Sequence, residues 1–270
     1  MSLVAAILLG IIQGLTEFLP VSSSAHLILA RAFFGWEVPA DFGLAFDVAL
    51  HIGTLAAIVA FFRAEIAAMI RALPMAFAAD PGPAGQMMRR IAVGTLPVVV
   101  VGLTLTDFIE ERLRTPVVTA VTLTIGAIAM LIAERLGARR RTEHDITFLE
   151  ALLIGCAQAS ALVPGMSRSG STIAVGMFLG IRRDAAARFT FLLAIPAMIA
   201  AAGKEGLELR DMTLSADHYQ MMVVGMIVSA AVGYITIKYF LRYLASHRLD
   251  VFAYYRLLLA AVTVVWLLRH

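Results

Sequence analysis

Charged residues are scarce in this chain of 270 residues. They make up 15% of it, whereas 60% of the residues are hydrophobic and the mean hydropathy is +0.86. A soluble domain carries about 25% charged residues, so the deficit predicts an integral membrane protein. The net charge of +3 does not indicate nucleic acid as a partner, because the arginines stand between apolar runs and act there as topology signals.

Cysteine is nearly absent as well. Cys156 is the only one, which excludes an intramolecular disulfide framework. The first residues also lack the basic segment of a secretory signal peptide, and a polar cluster interrupts the apolar run that follows. We therefore expect the amino-terminal run to be part of the fold.

Six apolar segments are long enough to cross a bilayer, which takes roughly 20 mostly apolar residues. They cover about 42–62, 91–111, 116–135, 186–203, 219–244 and 251–269. Two further apolar regions, 3–34 and 147–181, are each interrupted by proline and serine. The segment 66–78 is too short to span and is expected to lie along the membrane surface.

Basic residues predict the orientation, because cytoplasmic loops are enriched in Lys and Arg. The loops after the first and third predicted spans carry Arg63, Arg71, Arg89 and Arg90, then Arg139, Arg140 and Arg141, and the end of the fifth span carries Lys238, Arg242 and Arg248. The segment 204–217, with Arg210 and Asp211, is acidic overall and is placed outside.

With six spans, this orientation makes region 3–34 enter and leave on the outer side and region 147–181 on the cytoplasmic side. Both regions are therefore predicted to be re-entrant helical hairpins. Irregular backbone at membrane depth needs protein or a water-filled cavity to satisfy it. Each hairpin tip is accordingly expected to line a cavity.

The two interrupted regions resemble each other. GIIQGLTEFLPVSSS begins at Gly10 and GCAQASALVPGMSRS at Gly155, and each is followed by an apolar span. Chance similarity is the alternative, but the charge distribution independently favours a repeat. We predict one all-α polytopic membrane domain, 1–270, in which an inverted-topology repeat relates about 3–63 to about 147–203. Such repeats typically form a site where their broken helices meet.

The first tip carries polar residues that are costly in an apolar run. Gln13 and Glu17 are four residues apart and share one helix face, and Pro20 then interrupts that helix. A carboxylate at membrane depth indicates function. The remaining candidates of this tip are Ser22, Ser23 and His26. We interpret Ser24, together with Ser171 and His51 elsewhere, as packing or hydrogen-bonding residues.

The second tip places an arginine among hydroxyl groups. Its candidates are Ser167, Arg168, Ser169 and Thr172. The guanidinium fork matches phosphate oxygens, and a helix beginning near Gly170 would point backbone N–H groups at the same anion. A purely structural ion pair between Glu17 and Arg168 is the alternative, although it would leave the hydroxyl groups and the histidine unexplained.

Together, QGLTEFLPVSSSAH and PGMSRSGSTIAVG resemble the two signature motifs of the undecaprenyl-diphosphate phosphatase (bacitracin-resistance) family. The likeness extends over essentially the whole chain. It implies six spanning helices and two re-entrant pairs in a bacterial inner membrane, with the site open to the outer side. It also implies hydrolysis of the lipid undecaprenyl diphosphate, bacitracin resistance and a divalent cation, Mg²⁺ or Ca²⁺. The resemblance leaves a homodimer open.

The resemblance also implies roles for the candidates. Ser23 would be the nucleophile, with Ser22 beside it, and His26 the general base or the alternative nucleophile. Glu17 would orient His26 or bind the metal with Gln13. The residues expected to hold the diphosphate are Ser22, Ser167, Arg168, Ser169 and Thr172. Many family members have glutamate at the position of Gln13, so a metal site with two carboxylates is not expected here, and a water activated by Glu17 or by the metal is the alternative nucleophile.

Two other functions fit parts of the pattern. Inverted repeats with re-entrant tips also occur in transporters, so the chain could flip the monophosphate lipid. The acid-phosphatase-like lipid phosphatases share an arginine and histidines, but they need a second active-site histidine shortly before an aspartate. The remaining histidines, at 51, 144, 218, 247 and 270, offer no such arrangement.

Overall fold

The computed structural model describes residues 2–36, 40–208 and 214–269, which form eleven α-helices and no β-strand. Arg210 and Asp211, used above to orient one loop, lie outside these residues. The helices are α1 Leu3–Thr16, α2 Ser23–Phe34, α3 Ala40–Phe61, α4 Arg63–Ala72, α5 Gly82–Arg112, α6 Pro116–Leu136, α7 Phe148–Ser160, α8 Arg168–Phe178, α9 Arg183–Glu208, α10 Ala216–Leu244 and α11 Asp250–Leu267.

Five of these helices, α5, α6, α9, α10 and α11, are long and apolar enough to cross a membrane. A sixth span results if α3 and the segment after it count as one, but Ala45–Phe61 and Arg63–Met75 meet at an angle of 76°. The chain is therefore an all-helical, multi-pass membrane protein. This bend separates the 66–78 segment from the span before it. The segment was expected not to span the membrane because it is too short.

Regions 3–34 and 147–181 are each a pair of short helices, α1–α2 and α7–α8. Proline lacks the backbone N–H that a continuing helix needs, and Pro20 and Pro164 lie in the two breaks. Each second helix begins at a serine cap: Ser22 accepts from the N–H of Ala25 at 3.4 Å, and Ser167 from that of Gly170 at 3.1 Å. Both interruptions therefore end one helix and start another.

Two groups of ion pairs mark opposite ends of the helices. Asp47 of α3 binds Arg31, near the end of α2, at 2.5 Å, and Arg114, between α5 and α6, at 2.9 Å. Glu134, fully buried at the end of α6, accepts from Arg139 at 2.7 Å, from Arg183 at the start of α9, and from the N–H of Leu249 before α11.

Arg141 shows that the α7–α8 pair begins and ends at one place. Its guanidinium binds Glu150 in the first turn of α7 at 2.5 Å and the carbonyl of Leu179, just after α8, at 3.0 Å. The pair therefore returns to the side on which it started, as a hairpin does. This is also the side of the Glu134 ion pairs, because Arg139 and Arg141 are almost adjacent in the chain.

Close backbone contact holds α7 against α5. A Cβ atom on Gly155 would lie 2.1 Å from the carbonyl oxygen of Gly94, a distance that only a glycine allows. By contrast, a Cβ on Gly203 of α9 would meet nothing within 4 Å. The α5–α7 contact therefore depends on glycine, and it fixes the position of the helix that leads into the second break.

We expect Gly155→Ala to lower the thermal midpoint of the protein in detergent, because separating the two helices costs about 1–3 kcal/mol of stability. The midpoint can be followed by size-exclusion chromatography after heating. Gly203→Ala is the matched control, and the same change there should leave the midpoint unchanged or raise it slightly. Equal midpoints for both variants would contradict the close contact.

Candidate active site

The two helix breaks share an unusual backbone conformation. Ser22 has φ 73° and ψ 101°, and Ser167 has φ 67° and ψ 113°. Residues other than glycine rarely adopt positive φ, and such strain tends to occur at functional sites. In both breaks the serine hydroxyl also lies near that of the serine two residues later, at 3.2 Å for Ser22–Ser24 and 3.3 Å for Ser167–Ser169. The similarity expected from the sequence thus extends to local geometry.

Glu17 lies where the two breaks meet. It caps α1, and its side chain is 5% exposed. One carboxylate oxygen accepts from the guanidinium of Arg168 at 2.5 Å. The other accepts from the hydroxyl of Ser23 at 2.6 Å and from the amide Nε2 of Gln13 at 3.0 Å. The ion pair considered from the sequence therefore forms, and the same carboxylate also holds the expected nucleophile.

These groups face a cavity of about 260 Å³. The predicted site residues that line it are Glu17, Ser22, Ser23, Ser167 and Arg168. The other predicted site residues, Gln13, His26, Ser169 and Thr172, do not line it. The structure therefore brings together one carboxylate, one guanidinium and three hydroxyl groups.

Two hydroxyl groups expected to hold the diphosphate are used within the fold instead. Ser169 donates to the carbonyl of Leu19 at 3.0 Å, and Thr172 donates to that of Arg168 at 2.7 Å. Thr172 also accepts from Thr190 at 2.9 Å. Their direct contact with substrate stays a prediction, and their visible contacts secure the backbone around Arg168.

His26 is held away from Glu17. Its Nδ1 lies 2.7 Å from the carbonyl oxygen of Ser22, which can only accept, so we assign the ring proton to Nδ1. Nε2 then accepts from the hydroxyl of Tyr255 at 2.7 Å, and the two rings stack. The expectation that Glu17 orients His26 is wrong in this geometry, because both ring nitrogens have other partners.

His51 is the imidazole that faces Glu17. Its Nδ1 lies 2.8 Å from the carbonyl oxygen of Asp47, while Nε2 is 3.7 Å from Glu17 and the residue lines the cavity. The interpretation of His51 as hydrogen-bonded inside the bundle accounts for Nδ1 only. The sequence contains a signal for this residue, because a histidine within an apolar span is unusual. The span alone does not show which group the second ring nitrogen faces.

Arg256 of α11 is a second residue near the site that the sequence analysis did not identify. It is fully buried, and its guanidinium donates to the carbonyls of Gly165 at 2.9 Å and Met166 at 3.2 Å in the second break. It also reaches the carbonyl of Pro20 in the first break at 3.5 Å. An arginine in the middle of a predicted span is itself a sign of function or of a buried network. Here it supplies donors to backbone that the breaks leave without helical partners.

The donor set for a divalent cation is small. No group of three His, Cys, Asp or Glu side chains that could hold a metal occurs in the described ranges. Of the two residues expected to bind a metal, Glu17 offers a carboxylate, and Gln13 offers a buried Oε1 that has no hydrogen-bond partner among the described residues. Such a set suits Mg²⁺, which keeps several waters and is often bound through one or two carboxylates and substrate phosphates.

We expect Arg256→Met to lower the thermal midpoint markedly, because each buried carbonyl left without a donor costs about 1–3 kcal/mol. Heating the purified protein in detergent measures this directly. Arg71→Met is the control, since Arg71 is exposed and donates to a single carbonyl, that of Ala67. A midpoint unchanged in both variants would mean that water, not Arg256, satisfies the breaks.

Comparison with known proteins gives a consistent family. The family model described as bacitracin resistance protein BacA matches residues 6–262. A protein of Rubrobacter xylanophilus named undecaprenyl-diphosphatase is 43% identical over 272 residues, covering 99% of each chain. One of Nitrosococcus oceani with the same name is 43% identical, covering 97% of this chain and 98% of its own. Undecaprenyl-diphosphatase 2 of Stutzerimonas stutzeri is 44% identical, covering 98% of each. The chain therefore belongs to the bacitracin resistance protein BacA family.

Proposed function

We propose that this chain is an undecaprenyl-diphosphatase, which hydrolyses undecaprenyl diphosphate to undecaprenyl phosphate and inorganic phosphate. The reaction recycles the lipid carrier of peptidoglycan synthesis and confers resistance to bacitracin. One observation carries the proposal: Glu17 holds the hydroxyl of Ser23 at 2.6 Å and the guanidinium of Arg168 at 2.5 Å at the wall of one cavity. The expected nucleophile and the expected anion-binding group thus both contact one carboxylate that can act as a base.

Ser23 attacks the terminal phosphorus of the diphosphate. Its proton passes to Glu17, which already accepts its hydrogen bond. The P–O bond to the bridging oxygen breaks, and undecaprenyl phosphate leaves with the electron pair. The leaving undecaprenyl phosphate takes the proton from Glu17. Water then attacks the phosphoserine, Glu17 takes a proton from the water and returns it to the Ser23 oxygen, and inorganic phosphate is released. Direct attack by a water activated by Glu17 would use the same residues.

Arg168 links substrate binding to the base. In the described structure its guanidinium is paired with Glu17. Phosphate oxygens are competing acceptors for the same fork, so a bound diphosphate draws Arg168 toward itself and leaves the carboxylate freer to accept a proton. The arginine then stabilises the charge that develops on the transferred phosphoryl group. Ser22 and Ser167 line the same cavity and offer further hydroxyl donors.

A divalent cation, Mg²⁺ or Ca²⁺, would be held by Glu17 and by the Oε1 of Gln13, with the remaining ligands from water and the diphosphate. It would neutralise phosphate charge and polarise the phosphoryl oxygens. Because Gln13 is uncharged, the protein supplies one carboxylate, and the substrate supplies most of the negative charge that attracts the ion.

We place the protein in the bacterial inner membrane with six spans and two re-entrant hairpins, in the inverted repeat of about 3–63 and about 147–203. The return of α7–α8 to its starting side supports the second hairpin. The cavity extends to Thr106, Glu110 and Arg114, near the turn between the second and third predicted spans. This turn lies outside if the basic loops after the first and third spans are cytoplasmic, which supports an opening on the periplasmic side. A homodimer stays a prediction.

The lipid tail needs a different surface from the diphosphate, because the polar cavity of about 260 Å³ is too small for a C55 chain. An apolar groove of about 640 Å³ lies between α5 and α7, lined by residues that include Pro97, Leu105 and Cys156. Ile109 lines both the groove and the polar cavity. The two surfaces are therefore neighbours, as the two ends of a polyprenyl diphosphate require.

We expect Ser23→Ala, Glu17→Gln and Arg168→Ala each to lower kcat for phosphate release from C55 diphosphate, by about 10²–10⁴-fold for the base and at least about 10³-fold for the arginine. Phosphate is measured with purified protein in detergent.

Ser171→Ala is the matched control, since its hydroxyl donates to the carbonyl of Met166 and does not line the cavity. Near-normal activity of both Glu17→Gln and Arg168→Ala would refute the site, and no release by the intact protein would favour lipid transport.

His26→Phe tests whether His26 is the general base. The phenyl ring can still stack on Tyr255 but loses both hydrogen bonds, which position the backbone beside Ser23. We expect kcat to fall by about tenfold or less, the size of one or two hydrogen bonds. A loss as large as that of Glu17→Gln, measured in the same assay, would return the role of base to His26.

A further inference from the structure

Gln158 of α7 is buried without a partner. It is 1% exposed, and neither its Oε1 nor its Nε2 has a hydrogen-bond partner among the described residues. The other side chains with an unpartnered buried atom differ. Gln13 still binds Glu17 through Nε2, Arg31 still binds Asp47, and His218 is half-buried with Nδ1 alone affected. A buried amide with both ends unsatisfied is unfavourable in a fold of this kind, so its retention calls for a ligand.

The amide lies at the site already described. Gln158 lines the cavity that holds Glu17, Ser23, Ser167 and Arg168. The backbone carbonyl of Gln158 accepts from the N–H of Ala161 at 3.1 Å, which leaves only the side chain available. An unpartnered polar group in the wall of a polar cavity is placed to bind what enters it.

The repeat explains why this amide has no partner inside the protein. Gln158 occupies the position in GCAQ that Gln13 occupies in GIIQ. In the first repeat, Glu17 stands four residues later and accepts from the amide of Gln13 at 3.0 Å. In the second repeat, Leu162 stands four residues later and offers no acceptor. The second amide is thus free to bind a ligand.

The close contact of α7 with α5 keeps the amide in place. Gly155, three residues before Gln158, packs directly on the backbone of Gly94, and Val98 of α5 lines the same cavity. Since residues three apart lie on one helix face, the glycine contact and the amide share the face that α7 turns toward α5. The position of Gln158 is therefore set by backbone packing rather than by a hydrogen bond of its side chain.

We propose that Gln158 is a substrate-binding residue, whose Nε2 donates a hydrogen bond to a non-bridging oxygen of the diphosphate next to Arg168. This rests on the proposed function. Two groups from the second repeat, the amide at the end of α7 and the guanidinium at the start of α8, then hold the anion from one side. The first repeat presents Ser23 and Glu17 from the other side.

The test compares Gln158→Met and Gln158→Glu with wild type in detergent, measuring phosphate release over a range of C55 diphosphate concentrations and the thermal midpoint. Methionine keeps the length but has no amide. We expect its KM to rise by about tenfold, the value of one hydrogen bond to a charged group, with a smaller change in kcat. Its midpoint should equal or exceed that of wild type, because an unsatisfied buried amide has been removed.

Gln158→Glu keeps the shape but puts a negative charge beside the diphosphate, so its KM should rise more than that of Gln158→Met. Gln86→Met is the control, because Gln86 is exposed on α5 and accepts from Arg90. A wild-type KM in Gln158→Met would overturn the proposal, and so would a lowered midpoint with unchanged KM, which would mean a structural amide. Absence of phosphate release by wild type would instead refute the function itself.

Discussion

Backbone groups at the two helix breaks have to find partners inside the protein, because an apolar environment offers none. The geometry of the whole site depends on which groups supply these hydrogen bonds. Arg256 donates to the carbonyls of Gly165 and Met166 and reaches that of Pro20, and Thr122 donates to the carbonyl of Pro164 at 2.6 Å. The breaks are thus joined to α11 and α6, and to each other. A helix break with unsatisfied backbone groups would be unfavourable alone. Together, the two breaks form one wall of the cavity.

The Glu17–Arg168 ion pair joins the same two breaks through side chains. A buried ion pair is weak evidence for stability, since desolvation can exceed the Coulomb attraction. This one is a poor candidate for a purely structural contact, because both residues line a cavity and the second carboxylate oxygen holds the hydroxyl of Ser23. In the proposed reaction, a bound phosphate competes for the guanidinium and opens the pair. In that proposal the ion pair joins the two breaks before substrate binds, and Arg168 contacts the phosphate afterwards.

The sequence predicted the all-helical, multi-pass character of the protein and the positions of the two helix breaks. Long apolar segments and the position of proline are local properties, so the spans and the two breaks were identifiable. Glu17 and Arg168 were identifiable because charge in an apolar run is costly. The choice between His26 and His51 was not. It depends on the contact of His26 with Tyr255 and on the approach of His51 to Glu17, and both contacts join residues of different helices that no local pattern relates. Arg256 could have been identified as an arginine within a predicted span. Its hydrogen-bond acceptors could not, because they are backbone carbonyls, which no sequence motif identifies.

The two helix breaks share one backbone geometry but carry different side chains. Ser22 and Ser167 adopt the same strained conformation, so the residues after them, Ser23 and Arg168, occupy equivalent places at the start of α2 and α8. In the first break that place holds a hydroxyl group and in the second a guanidinium, and both side chains reach Glu17. An exact copy would place two hydroxyls or two arginines there, and neither pair could both attack and bind a phosphate. The different residues at these two equivalent positions therefore make the proposed site asymmetric, although the backbone of the two breaks is alike.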